Sequence, residues 1–162
     1  MKANATQSRS MTRWFCFSAA FGVVLSLAGC VSNSPTYHAT ATSTNEAAIV
    51  AGTMTPLGAR KAALQAVDGV YVGFWQAQSI SPILVDPGQR TLAVQGQYIG
   101  FFTHGDANAE LKANLQAGRA YQIKAELKKW NMTFWIEDLV SHEAASVRQT
   151  NQVSWMINFG GL

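Results

Sequence analysis

The sequence has only two cysteines, Cys16 and Cys30, and none from residue 31 onward. Downstream of residue 30 this leaves no disulfide and no thiolate metal site, so a packed core must supply the stability. A long apolar run is also missing. The best candidate, Trp14 to Leu27, holds 14 residues with Ser18 and Ser26 among them, whereas a membrane-spanning helix needs about 20. Acidic residues do not occur before Glu46, and charged residues make up only 13% of the chain. Nor does one sign dominate. Lys2, Arg9 and Arg13 belong to the N-terminal segment, and without those three the 12 basic residues become nine, against nine acidic. A domain so near neutrality lacks the electrostatic footprint that phosphate binding requires, which excludes nucleic acid as a partner. Lys128-Lys129 is too short a run to alter this and reads as a solvated strand end.

What is present begins with an address. Basic residues, then the apolar run, then small residues ahead of Cys30 give the order of an export signal, with n-region, h-region and cleavage site. Residues 1–29 are expected to be removed, and Met11 offers an alternative start within them. Leu27-Ala28-Gly29-Cys30 resembles the lipobox of bacterial lipoproteins. The resemblance implies that the Cys30 thiol receives a diacylglycerol, that the signal is cut away, and that the new amine is acylated. Each buried methylene contributes about 0.8 kcal/mol, so several acyl chains anchor stably where one does not. Val31, rather than Asp, comes after the cysteine. Under the sorting rule of Gram-negative lipoproteins this implies the periplasmic face of the outer membrane, with the inner membrane as the alternative.

Residues 31–45, VSNSPTYHATATSTN, are rich in Ser, Thr and Ala and carry no charge. With Cys30 they read as a disordered, lipid-anchored tether (30–45), since such a composition buries too little to fold. From Glu46 the pattern changes to strands with period-two alternation. Tyr121, Ile123, Ala125 and Leu127 fall on one face, with Gln122, Lys124, Glu126 and Lys128 on the other. Leu111, Ala113 and Leu115 alternate likewise, and Ala117-Gly118-Arg119 reads as the turn of a hairpin between the two runs. Asp68-Gly69, between Ala62–Val67 and Val70–Trp75, accepts the positive φ angles of a tight hairpin turn. Asp86-Pro87-Gly88 reads as a turn from Ile83–Val85 into Leu92–Val94. Phe134–Ile136 and Val153–Phe159 complete seven or eight short strands. The fold expected for 46–162 is therefore all-β, a single antiparallel β-sandwich.

The stretch Val67-Asp68-Gly69-Val70-Tyr71-Val72-Gly73, with Val85-Asp86-Pro87-Gly88 and Val94 after it, resembles the core pattern of PEGA-like domains. Residues 111–121 are similar to small envelope lipoproteins of unknown function with this layout. The resemblance spans residues 62–127 and rests on turn chemistry. It implies a transthyretin-like or prealbumin-like sandwich used as an accessory module, and it implies no reaction.

No catalytic constellation emerges. His38, His104 and His142 have no second ligand at metal spacing and read as solvated loop residues. There is no G-x-S-x-G elbow. Glu137 and Asp138 point to opposite faces of a strand and read as its solvated end. Trp75, Trp130, Trp135 and Trp155 are the compositional excess, and aromatics of this kind stack on sugar rings or anchor interfaces. Trp130, in Lys129-Trp130-Asn131 where the alternation breaks into a turn, is the candidate binding residue. The expected function is a non-catalytic, membrane-anchored interaction module with an envelope protein partner, and the alternative is a glycan- or peptidoglycan-binding module. No cofactor or metal is called for.

Overall fold

Thr103–Leu115 shows why this chain forms long strands: small or apolar residues at every second position, from Gly105 through Ala107, Ala109, Leu111 and Ala113 to Leu115, are buried, while those between face outward. Such a stretch places one full face against a second layer. The computed structural model describes residues 35–55, 60–100 and 103–157. The signal segment, the lipobox and Cys30 lie outside the described residues. The elements in chain order are β1 (Ala48–Ala51), β2 (Thr53–Met54), β3 (Arg60–Val67), β4 (Val70–Tyr71), α1 (Phe74–Ala77), β5 (Ile83–Val85), β6 (Gly88–Ile99), β7 (Thr103–Leu115), β8 (Ala120–Lys128), β9 (Asn131–Asp138), β10 (Gln149–Gln152) and β11 (Ser154–Ile157).

Two sheets form the sandwich, ordered β10-β9-β8-β1-β5 and β11-β7-β6-β3-β2, with β4 also on β3. The pairings are antiparallel except β1 with β8. The all-β sandwich stands as expected, with eleven strands among the described residues instead of seven or eight. Leu64, Leu92, Leu111 and Leu115 from one sheet meet Ile123, Met132, Phe134 and Ile136 from the other. Burying each large side chain contributes about 1.5–3 kcal/mol. In β8, Tyr121 and Ile123 are fully inside, and Ala125 and Leu127 pack partly against the same core.

The Asp68-Gly69 hairpin is present, with both residues at positive φ (50° and 79°) and Val67 opposite Val70. Its second arm is shorter than the alternation predicts. β4 stops at Tyr71, Gly73 adopts φ 97°, and Phe74–Ala77 turns into a helical segment of four residues. The other two turns do not close hairpins. β5 pairs with β1 and β6 with β7, so Asp86-Pro87 carries the chain from one sheet to the other. Ala117-Gly118-Arg119 likewise joins β7 to β8 across the sandwich. Alternation identifies the inward residues of a strand, but the inner faces of both layers look alike to it, so it does not tell a hairpin from an arch.

The stretch read as tether is described from residue 35 onward, and from Thr36 it lies along the domain. Thr36 bridges Tyr71, and the Tyr37 amide donates to the Tyr71 carbonyl at 2.7 Å. Asp86 holds the next residues of the segment, its carboxylate accepting the Thr40 amide and hydroxyl, each at 2.7 Å, and the Ala41 amide at 3.1 Å. Composition reads a free coil here because the partner lies some 45 residues away in sequence.

Candidate functional site

The last inward rung of the β11-β7-β6-β3 sheet is unlike the aliphatic rungs before it. Trp155 stands opposite Gly105, Gly105 opposite Tyr98, and Tyr98 opposite Arg60, so four strands contribute one row. Glycine at the centre lets the flanking rings close over the backbone, and Trp155 and Tyr98 meet edge-to-face at 5.6 Å. A β-carbon on Gly105 would lie 2.7 Å from Val153 Cγ1 and 3.1 Å from the Trp155 ring. The row survives only without a side chain there.

The opposite sheet supplies the other wall. β8 and β9 are joined by Lys129-Trp130, with Lys129 at φ 56°, and the Val153 amide donates to the Trp130 carbonyl at 2.8 Å. This pins the turn to the segment that carries Trp155. The Trp130 ring stands perpendicular to Trp155 at 5.5 Å and remains 64% exposed. Arg60, Tyr98, Thr103, Leu127, Lys129, Trp130 and Trp155 line an open recess of about 440 Å³ at this mouth of the sandwich, within the usual volume range for small-ligand sites. The Trp155 indole N–H is buried with no hydrogen-bond partner among the described residues. A buried donor left unmade costs about 1–3 kcal/mol. Residues 56–59 and 101–102 lie outside the described residues.

Trp130, the candidate named from sequence, therefore sits on a rim, and the structure joins to it Trp155, already named in the aromatic excess, and two residues that sequence reasoning missed, Tyr98 and Arg60. Their strand registers bring them together, and no short-range spacing signals that. Trp75 is exposed elsewhere, on α1, and Trp135 lies under the Arg148 guanidinium, 4.3 Å from its ring centre. The tryptophans do not form one surface.

The ionisable groups divide differently from the sequence reading. His104 is on β7, half-buried, with Nε2 2.9 Å from Asp106 Oδ2, and is not a loop residue. The second Asp106 oxygen is buried without a partner. His38 and His142 are exposed. Asp138 is 6% exposed, so it is not a solvated strand end. Its carboxylate accepts the Val140 and Ser141 amides at 2.8 and 3.1 Å and Arg119 Nε at 2.9 Å. Burial opposes ionisation there, and these donors outweigh it, leaving the carboxyl below its ordinary value. Asp68 is also held low, first by the Thr91 amide and then by Arg90, and Asp86 by the Thr40 hydroxyl and the neighbouring amides. Burial beside Asp86 pushes the Tyr37 hydroxyl up. Each of these groups ties a turn or a chain segment in place, and each aspartate is ionised at neutral pH, a poor starting state for a general acid. Among the described residues no three His, Asp or Glu side chains converge on a metal position. The sequence matches no family model, and neither a curated protein nor a solved structure matches it.

Proposed function

We propose that this chain is a lipid-anchored envelope lipoprotein, held through Cys30 on the periplasmic face of the outer membrane, whose sandwich is a non-catalytic interaction module binding at the Trp130 recess. The observation that carries the binding site is the edge-to-face cluster of Trp130, Trp155 and Tyr98 lining the recess, flanked by Arg60 and Lys129. Rings with a buried body and an exposed rim are the anchors on which interfaces concentrate their energy. A second reading has its own support: the exposed Trp130 ring beside the hydrogen-bonding groups of Thr103, Arg60 and Lys129 matches what a sugar ring needs, an apolar face to stack on and donors for its hydroxyls. The PEGA-like, accessory-module resemblance agrees with either reading.

A photo-reactive amino acid in place of Lys129, activated in intact envelopes, tests them. A protein adduct that disappears with Trp130→Ala supports the first reading. Retention of the purified protein on murein sacculi, lost in the same variant, supports the second. Neither adduct nor retention would overturn the recess as a binding site. Labelled fatty acid entering a Cys30→Ser chain would separately remove the anchor.

A further inference from the structure

Two strongly exposed aromatic residues of the described domain lie where its N-terminal segment arrives. Phe74 is 62% and Trp75 79% exposed on α1, their rings edge-to-face at 5.3 Å. α1 begins directly after Gly73, and a β-carbon on Gly73 would lie 3.2 Å from Thr36 Cγ2. The same Thr36 bridges Tyr71. Cys30 precedes Thr36 by six residues, and six extended residues reach at most about 20 Å. With the chain from Thr36 onward held against the domain, an anchor at Cys30 has that reach and no more. Neither residues 31–45 nor residues 69–85 contain Asp, Glu, Lys or Arg, and a cation borders them from β3: Lys61 Nζ donates to the carbonyl of Gln78, directly after α1. An exposed tryptophan on segments without charge of their own, with a lysine at the border, suits the headgroup boundary, where amphipathic rings are favoured and a cation meets lipid phosphates.

We propose that Phe74 and Trp75 insert into the headgroup boundary of the bilayer that holds the Cys30 acyl chains, so that the domain rests on the membrane in one orientation instead of swinging from a loose tether. The proposal rests on the reading of Cys30 as the lipid anchor. A protein covering the same pair is the competing occupant. The short covalent reach favours lipid, because it places the bilayer beside this face in every molecule.

The test uses the mature protein reconstituted in phosphatidylethanolamine and phosphatidylglycerol vesicles, with a fluorophore on Gln76→Cys next to the pair. The control carries it on Val147→Cys, exposed just before β10 at the opposite edge of its sheet from β5. Nitroxide-bearing lipid is expected to quench the label at 76 and not at 147, and Phe74→Ser with Trp75→Ser to abolish that quenching while mass spectrometry still finds the acyl groups on Cys30. An acylated protein whose two labels stay equally open to an aqueous quencher would overturn the proposal, as would protection at 76 before any vesicle is added, which would mark a protein partner. If Cys30 carries no lipid, the anchor reading fails by itself. Quenching at 76 would then still uphold the lipid-contacting surface, and its absence would remove both.

Discussion

At one end of the sandwich three aspartates hold the turns. Asp68 is tied to Arg90 and the Thr91 amide, Asp86 to Tyr37 and Thr40, and Asp138 to Arg119 and the 140–141 turn. At the other end, where β6 leaves at Ile99 and β8 turns into β9, the inward lining is aromatic, and its polar residues, Arg60, Thr103 and Lys129, border an open recess. The carboxylate end directs its hydrogen bonds at the protein itself. The aromatic end keeps a donor unmatched. A fold needs its turns fixed somewhere, and when one end is fixed by side-chain bonds to backbone amides the opposite mouth is free to carry residues chosen for something other than stability.

This contrast collapses if the mouth matters to folding as much as the interior does. Phe134→Ala, at a fully buried position between the sheets, is expected to cost about 3–5 kcal/mol through lost transfer energy and the cavity left behind. Denaturant melts measure it. A loss no larger than that at Trp130 would mean that the centre of the core has been misplaced.

The next effect belongs to the carboxylate end. Asp138→Ala leaves the Val140 and Ser141 amides and Arg119 without their acceptor and is expected to cost about 1–3 kcal/mol. The pH dependence has a definite sign. Asp68, Asp86 and Asp138 all have carboxyls held below the ordinary 3.8, so the folded state binds protons less readily than the unfolded one. The stability they contribute is complete above that ordinary value and is lost as pH falls below it through the folded values. Melting temperature should hold from neutral pH down to about pH 5 and then fall, and Asp138→Asn should flatten part of that fall. An acid limb identical in the variant would show that the locks lie elsewhere.

The two ends were unequally legible in the sequence. Asp68-Gly69 announces its turn because two adjacent positive φ angles leave few other residues suitable. The inward set of β8 comes from alternation alone, since a slip of one residue would bury Lys124 and Glu126. Asp138 was invisible as a lock, because its partner Arg119 sits on the turn before β8 and meets it only through the β8–β9 register, Tyr121 opposite Asp138. The aromatic row was hidden for the same reason. Arg60, Tyr98, Gly105 and Trp155 are scattered over 96 positions and become neighbours only when β3, β6, β7 and β11 line up. Trp130 alone was readable, because a broken alternation marks a turn and a turn exposes its residues.

Trp130 is also where the smallest stability effect and the largest functional one are expected to coincide. Its ring is mostly in solvent, and its described aromatic contact is the perpendicular one with Trp155. An edge-to-face pair contributes about 0.5–1.5 kcal/mol beyond the area it buries, so Trp130→Ala should lower stability by about that much, well below Phe134→Ala. Its backbone carbonyl, which accepts the Val153 amide, is untouched by the substitution, so the β8–β9 turn should keep its place and the circular dichroism spectrum its β signature. Binding should nonetheless be lost, because the residue supplies the exposed wall of the recess. Trp130→Phe separates the two roles further: it keeps an apolar ring edge against Trp155 and should recover most of the stability, while a partner or glycan that needs the full indole surface should remain weak. If Trp130→Ala proves as damaging to the fold as a core truncation, the residue is a structural clamp and the mouth is part of the core; if it leaves both stability and binding intact, the recess is not the site.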